Sequence, residues 1–223
     1  MKEYEVIKID GLLPLIQELN LEIKNTYLEL FKKTKFNFGS VVNDEDICKF
    51  YKNHQKIQHE GIKMLRNSFS LLKLAAYQPL WKTIAESWGL KYPILEAQPI
   101  LRCDLPNEEK LRFLRHQDYP YNLGSINSIT VWIPLQDVNS ELGCLRFVPG
   151  STKKNYSQKD GLIDQNIKFE WNEIRSMKVE EVLVFSQRLV HESGINSSKN
   201  KIRFTAILRI SDYSHPTYKL KSS

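Results

Sequence analysis

The chain has 223 residues, of which 41% are hydrophobic and 26% are charged, and its formal net charge is +6. This composition supplies the core of a single domain, 1–223, and excludes an intrinsically disordered chain. No apolar run approaches the length of a membrane span, and the first five residues mix charges without an apolar stretch, so we expect a soluble, cytoplasmic protein without a signal peptide.

The charge indicates which partners to expect, and the cysteines indicate the redox state of the compartment. Basic residues are scattered without a run of five, so we interpret the charge as mostly solvated surface with a modest preference for an anionic substrate. Three cysteines without a C-x-x-C pair indicate a reducing compartment and argue against disulfides or a thiolate zinc site. We expect a small-molecule substrate and neither a membrane nor a nucleic acid as partner, while the oligomeric state stays open.

The first 90 residues are predicted to be mainly helical. The prediction rests on apolar residues at helical spacing and on residues suited to begin or end a helix. The four predicted helices are 11–33, a segment opened by Asn43 or Asp44, 55–75, and a segment that begins at Pro79 and ends at Gly89.

Residues 91–213 show short apolar or alternating runs separated by turn-forming residues. The predicted strands are 94–103, 111–116, 127–135, 144–148, 181–186 and 202–210. Repeated short strands at this spacing favour an antiparallel sandwich or barrel, which makes the fold class α+β. The segment 151–178 is long, polar and irregular, and we interpret it as a lid loop.

A possible metal site consists of His116, Asp118 and His191. On a strand, positions i and i+2 point to the same face, so His116 and Asp118 converge, and His191 follows the predicted strand 181–186. Two histidines and one carboxylate form the facial triad of non-haem Fe(II) oxygenases, which leaves open positions for O2 and a chelating co-substrate. The spacing alone is a weak signal, because His-x-Asp occurs by chance and an isolated histidine is more often structural.

Arg203 strengthens the oxygenase hypothesis. It lies twelve residues after His191, and turn residues between them allow the chain to pair back towards the metal. A buried guanidinium needs a carboxylate partner, which the distal carboxylate of 2-oxoglutarate would supply. Arg209 shares the face of Arg203 but lies about 20 Å further along the strand, so it is the poorer candidate. The alternative for Arg203 is an exposed position on an edge strand.

Ordered motifs across roughly residues 93–212 resemble the phytanoyl-CoA dioxygenase family. The motifs are HQDYPY at 116–121, TVWIPLQDV at 130–138, GCLRFVPGS at 143–151 and HESGINSS at 191–198, followed by Arg203. Their combination is specific, although no single motif is. The chain departs from the family at Thr152, where many members have histidine, and the register of Arg203 varies within the family.

The resemblance implies a double-stranded β-helix (a jelly-roll or cupin-like core) with flanking N-terminal helices. It implies an Fe(II)-dependent dioxygenase with 2-oxoglutarate and O2 as co-substrates and ascorbate as the reductant in assays. Such an enzyme would hydroxylate a small-molecule metabolite and convert 2-oxoglutarate to succinate. The family pattern assigns His116, Asp118 and His191 to the iron, and Arg203 with Ser193 to the 2-oxoglutarate carboxylates.

Further residues are expected around the metal. The resemblance places Trp132 and Thr130 on the strand that lines the co-substrate pocket, although ordinary core packing explains Trp132 equally well. Candidate substrate contacts are Tyr119, Tyr121, Asn122, Gln98 and Arg102. For Arg102, an ion pair with Asp104 is the alternative.

Other outcomes are compatible with the same residues. An intact Asp118 favours hydroxylation over halogenation, but desaturation and cyclisation use the same cofactors. A jelly-roll binding protein that has lost catalysis is a second alternative, against which the complete triad argues. Nucleic-acid demethylation is suggested only by the basic charge.

Overall fold

This protein consists of helices and antiparallel sheets. The computed structural model describes residues 2–122 and 124–219, except for the side chains of Tyr121 and Asn122. The helices are α1 (Leu12–Thr34), α2 (Asp44–Leu65), α3 (Phe69–Ala75), α4 (Gln78–Trp88) and the short α5 (Tyr119–Asn122). None of the described helices is long and apolar enough to cross a bilayer.

The helices agree with the sequence prediction in position but not in every boundary. Asn43 caps α2 by accepting a hydrogen bond from the backbone of Asp46 at 2.9 Å, as its side chain predicts. The predicted second and third helices merge into α2, which has a kink with non-helical dihedral angles at His54. A break after Leu65 then separates α2 from α3, so the prediction of one helix over 55–75 is wrong at this point.

The strands are short apart from those of one sheet. They are β1 (Tyr4–Lys8), β2 (Pro93–Leu95), β3 (Ile100–Asp104), β4 (Ile129–Pro134), β5 (Val138–Asn139), β6 (Leu145–Phe147), β7 (Gln158–Lys159), β8 (Leu162–Ile163), β9 (Asn172–Glu173), β10 (Ser176–Met177), β11 (Glu181–Ser186), β12 (His191–Ser193) and β13 (Arg203–Asp212).

The main sheet has the order β1-β11-β4-β13-β2, and β3 also pairs with β13. Its pairs are antiparallel, and the register sets Thr130 opposite both Phe185 and Arg209 and sets Trp132 opposite Ile207. One face of this sheet packs against α1 to α4 in the largest apolar cluster, where burying the aliphatic side chains stabilises the fold. The other face is therefore available to a second layer.

The second layer consists of two small sheets and a hairpin. The sheets have the orders β12-β6-β9 and β10-β5, and β7 pairs with β8. The segment 151–178 is therefore not irregular, because β9 and β10 pair with strands of the core. Within 151–178, β7 and β8 pair with each other as a hairpin and not with strands of the core.

The observed strands differ from the predicted ones in three places: 94–103 is interrupted between β2 and β3, 111–116 is not a strand, and β1 was not predicted. In 111–116, Leu111 ends a 3-10 turn, Glu109–Leu111, and the chain that follows is extended, with an isolated bridge from His116 to His191. The strand β1 was missed, because it is an edge strand whose apolar residues Tyr4 and Val6 are the exposed ones.

A close backbone approach holds β12 against residue 144. A Cβ atom at Gly194 would lie 2.1 Å from the carbonyl oxygen of Cys144, and a backbone oxygen cannot rotate away.

We expect Gly194→Ala to lower the free energy of unfolding by roughly 1–3 kcal/mol, since overpacking must shift the backbone. Urea unfolding measures this change. Gly39→Ala is the matched control, because a Cβ there meets nothing within 4 Å, and its effect should stay below about 0.5 kcal/mol. Equal stabilities of the two variants would contradict the close approach.

Candidate metal centre and its cavity

The structure brings His116, Asp118 and His191 together, as the sequence predicts. One ligand atom from each lies within 4.8 Å of the others, and all three residues are buried. The Nε2 atoms of His116 and His191 lie 3.6 Å and 3.9 Å from the two carboxylate oxygens of Asp118. Two imidazole nitrogens and one carboxylate oxygen at this separation form a donor set that fits iron.

A backbone bridge holds the two histidines side by side. The amide of each donates to the carbonyl oxygen of the other at 3.0 Å. His191 begins β12, which pairs with β6, so this bridge fixes the segment of His116 to the second layer. The convergence of the triad is thus a property of the backbone and not only of the side chains.

The histidine rings are oriented by backbone carbonyls. Nδ1 of His116 lies 2.8 Å from the oxygen of Leu114, and Nδ1 of His191 lies 2.9 Å from that of Leu189. With the proton on Nδ1, the lone pair of Nε2 points to the metal position. Burial, followed by the neighbouring His116, lowers the pKa of His191 to about 3, so the ring is neutral, which is the form that binds a metal.

Asp118 is held by a donor on each oxygen. Thr130 Oγ1 donates to Oδ2 and Arg209 Nη2 donates to Oδ1, both at 2.7 Å. Burial opposes ionisation, but the neighbouring His116 and the charge of Arg209 hold the pKa of Asp118 well below its usual range. The carboxylate is therefore ionised and fixed in orientation.

Arg209 contacts the triad through Asp118, and the sequence did not predict this contact. The sequence predicts that Arg203 lies near the metal, whereas Thr130, which binds Asp118, lies opposite Arg209 in the register of β4 and β13. The C-terminal part of β13 is therefore the part that lies next to the metal position. The alternation of side chains along β13 was the available signal, because it places Arg209 on the same face as Arg203.

Arg203 is buried and already has a carboxylate partner. Its Nη2 atom lies 3.1 Å from Asp104 Oδ2, and its Nη1 atom donates to Leu142 O at 3.1 Å and to Gly194 O at 3.5 Å. The alternative of an exposed edge position is wrong. The carboxylate partner that a buried Arg203 needs is supplied within the chain by Asp104.

The surroundings of Arg203 nevertheless leave two polar atoms unpaired. Within the described chain, Arg203 Nε and Thr205 Oγ1 are buried without a hydrogen-bond partner. Arg203 does not itself line the cavity of the triad, but it bonds to Gly194 O, and the preceding residue, Ser193, does line it. Buried polar atoms of this kind call for a partner.

A cavity of about 470 Å3 contains the triad. Thr130, Trp132 and Ser193, which the resemblance assigns to the co-substrate site, line it. Trp132 also belongs to the buried apolar cluster of the second layer, so it packs in the core as well as lining the cavity. The other described lining residues are Arg66, Ile100, Arg102, Phe113, Leu145, Asp160, Gly161, Phe185, Ile207 and Arg209.

The residues predicted to contact the substrate differ in their position relative to the cavity. Arg102 lines the cavity and also pairs with Asp104 at 2.6 Å, as its alternative predicted. Gln98 is not at the cavity, because it precedes β3, is exposed and donates to Asn67 at 2.9 Å. Tyr119 is half-buried but does not line the cavity. The side chains of Tyr121 and Asn122 lie outside the described residues.

Comparisons with solved structures reveal relatives of low identity. The epimerase SnoN, in complex with Fe3+, alpha ketoglutarate and nogalamycin RO, is 18% identical over 96% of this chain and 82% of its own, with a TM-score of 0.63. In another SnoN structure, from nogalamycin biosynthesis, the match is 23% identical with a TM-score of 0.53, and it covers 70% of this chain and 62% of SnoN. AviO1 from Streptomyces viridochromogenes Tue57 is 16% identical over 97% of this chain and 93% of its own, with a TM-score of 0.56. At such identities these matches show a shared fold.

The sequence itself matches a family. No curated protein matches it, but the model of phytanoyl-CoA dioxygenase (PhyH) matches residues 26–205. That range contains the whole triad and Arg203. Because the match covers most of the chain and the triad fits iron, this chain belongs to the phytanoyl-CoA dioxygenase family of iron- and 2-oxoglutarate-dependent oxygenases.

Proposed function

We propose that this chain is an Fe(II)- and 2-oxoglutarate-dependent dioxygenase that hydroxylates a small-molecule metabolite. The observation that carries the proposal is the buried triad with its intact Asp118 on the wall of a cavity of about 470 Å3. A ferrous ion with 2-oxoglutarate and O2, when bound, supplies the oxidising chemistry, in which 2-oxoglutarate becomes succinate and CO2. The residues of the chain position these groups and exclude water.

His116, Asp118 and His191 are the proposed iron ligands. The carbonyl oxygens of Leu114 and Leu189 keep the two Nε2 lone pairs directed at the metal position. A carboxylate with a donor on each oxygen cannot rotate freely, so one oxygen of Asp118 is presented to the metal while the other keeps its hydrogen bond.

The proposed seat of the distal 2-oxoglutarate carboxylate is Arg203 with Ser193. The unpaired Arg203 Nε and Thr205 Oγ1 support this assignment, because a carboxylate is an acceptor for donors of this kind. Trp132 and Thr130 would lie along the co-substrate, since they face the cavity from the neighbouring strand.

Apolar side chains around the triad exclude water. The ring of Phe113 contacts His116 at a centroid distance of 4.1 Å, and that of Phe185 contacts His191 at 4.6 Å. Ile207 also lines the cavity. A dry site strengthens the electrostatic interactions between its ligands and the charged co-substrate.

We also propose that the two layers are the halves of a double-stranded β-helix. The main sheet and the sheet β12-β6-β9 face each other across the cavity, which both of them line. The tip of the β7–β8 hairpin, Asp160 and Gly161, reaches the cavity, so the lid function proposed for 151–178 would belong to this hairpin. The three free cysteines suit the cytoplasm that we propose as the location.

A different oxidative outcome is the second candidate. SnoN is an epimerase and SnoK, which is 16% identical over 95% of this chain and 80% of its own with a TM-score of 0.54, is a carbocyclase. The fold therefore accommodates reactions other than hydroxylation. Product analysis by mass spectrometry separates them, since hydroxylation adds one oxygen atom whereas epimerisation leaves the mass unchanged.

We expect purified protein with Fe(II), ascorbate and 2-oxoglutarate to release succinate slowly without substrate. His191→Ala should lower this release at least a hundredfold, because it removes a metal ligand. His59→Ala, which removes an exposed histidine of α2, is the matched control and should retain the activity. A wild-type protein that binds metal but not 2-oxoglutarate would favour the non-catalytic alternative.

Arg203→Lys tests the co-substrate seat. The lysine keeps the charge beside Asp104 but removes Nε, so we expect the Kd of 2-oxoglutarate to rise about 10- to 100-fold, the range for a lost charge-assisted hydrogen bond. Calorimetric titration of Mn(II)-loaded protein measures this Kd without turnover. Arg146→Lys serves as the control, since Arg146 pairs with the buried Glu192 at 2.9 Å and does not line the cavity. Equal Kd values for the wild type and Arg203→Lys would show that Arg203 does not bind the distal carboxylate of 2-oxoglutarate.

A further inference from the structure

Three arginines line the cavity of the triad: Arg66 beyond the end of α2, Arg102 on β3 and Arg209 on β13. We call them the arginine cluster. Arg102 pairs with Asp104 and Arg209 pairs with Asp118. In the described part of the chain, Arg66 has no acidic partner, and the Nε atoms of Arg66 and Arg209 are buried without a hydrogen-bond acceptor.

The cluster brings like charges close together. Burial lowers the pKa of Arg66, and the charges of Arg102 and Arg209 lower it further. A guanidinium does not lose its proton in a protein, so the repulsion stays in the structure until an anion enters. The buried Nε atoms add an unmet hydrogen-bonding demand at the same place.

The bound cofactors would not neutralise the cluster. The two charges of Fe(II) and the two charges of 2-oxoglutarate offset each other. Asp104 is shared between Arg102 and Arg203, and Asp118 is the proposed metal ligand. Asp160 also lines the cavity, but it is exposed at the tip of the hairpin. The cavity therefore keeps an excess of positive charge after both cofactors are bound.

We propose that the arginine cluster is the seat of an oxyanion of the substrate, so that the substrate is a small organic carboxylate or phosphate ester. The proposal rests on the proposed function. Arg66 and Arg209 would bind the oxyanion through the guanidinium nitrogens that they present to the cavity, in the geometry that guanidinium groups favour for carboxylate and phosphate.

The position of the cluster limits the substrate further. Arg209 contacts the metal ligand Asp118 at 2.7 Å, so an oxyanion on Arg209 lies close to the metal. The carbon that reacts is therefore only a few bonds from the anionic group. Ile100, Phe113 and Ile207 line the same cavity and would cover an apolar part of the substrate.

The seat is separate from that of the co-substrate. Arg203 and Arg209 lie six residues apart on β13, which corresponds to about 20 Å of strand. Ser193 and Gly194 adjoin the Arg203 end, whereas Asp118 adjoins the Arg209 end. One strand thus offers an oxyanion seat at each end, with the metal position nearer to Arg209.

The test uses inorganic phosphate and propionate as probes on Mn(II)-substituted protein loaded with 2-oxoglutarate. Mn(II) broadens the 31P signal of phosphate or the 1H signals of propionate only when the probe binds near the metal. We expect broadening by at least one probe, and the tighter of the two identifies the anionic group of the substrate. Arg66→Gln should weaken that binding about tenfold or more and leave the affinity for 2-oxoglutarate unchanged.

Lys63→Gln is the matched control, because it removes one positive charge from an exposed position of α2, where Lys63 pairs with Glu60. Equal weakening by Arg66→Gln and Lys63→Gln would overturn the proposal, because only the net charge would then matter. Displacement of the probe by 2-oxoglutarate would also overturn it, since the cluster would then hold the co-substrate.

The measurement on the wild type tests the proposed oxyanion site even if Arg66→Gln does not fold. Binding of 2-oxoglutarate without broadening of either probe overturns this inference alone. Failure of the Mn(II)-loaded protein to bind 2-oxoglutarate overturns the proposed function, and this inference falls with it.

Discussion

The backbone bridge between His116 and His191 is the contact on which the metal centre depends. It joins the extended chain before α5 to β12, two segments far apart in sequence, with two reciprocal hydrogen bonds of 3.0 Å. Since both ring orientations are set by carbonyl oxygens of the same two segments, the bridge and the rings form one unit. Asp118 lies two residues beyond the bridge, so fixing the orientation of its side chain is enough to complete the set of three metal-binding groups.

The charges of the site are arranged by the inner face of β13. Its two ends carry Arg203 and Arg209, and each arginine meets one buried aspartate, Asp104 or Asp118. The pairing lowers the pKa of both carboxyl groups despite their burial. An unpaired charge at either end would be costly in this interior, so the strand and its two aspartates are coupled features of the fold.

The sequence predicts which residues form the site better than it predicts which part of β13 lies next to the metal position. Ligand types and the change from helical to strand periodicity identify the triad and the order of helices before sheets. Arg203 and Arg209 share a face by alternation, and only the pairing of Thr130 with Arg209 shows which end adjoins the metal. Edge strands such as β1 escape prediction, because their stabilisation comes from a partner strand distant in sequence and not from their own pattern.

The two sides of the cavity are built differently, and this bears on specificity. The side with the metal ligands is fixed by the backbone bridge and by the register of the main sheet. Other parts of the lining come from elements outside that sheet, namely Arg66 after α2 and the tip of the β7–β8 hairpin. Changes in these elements do not require a change in the ligand geometry. A fold organised in this way can keep one oxidising centre and exchange its substrates, so the identity of the substrate should be sought in the helices and the hairpin rather than in the triad.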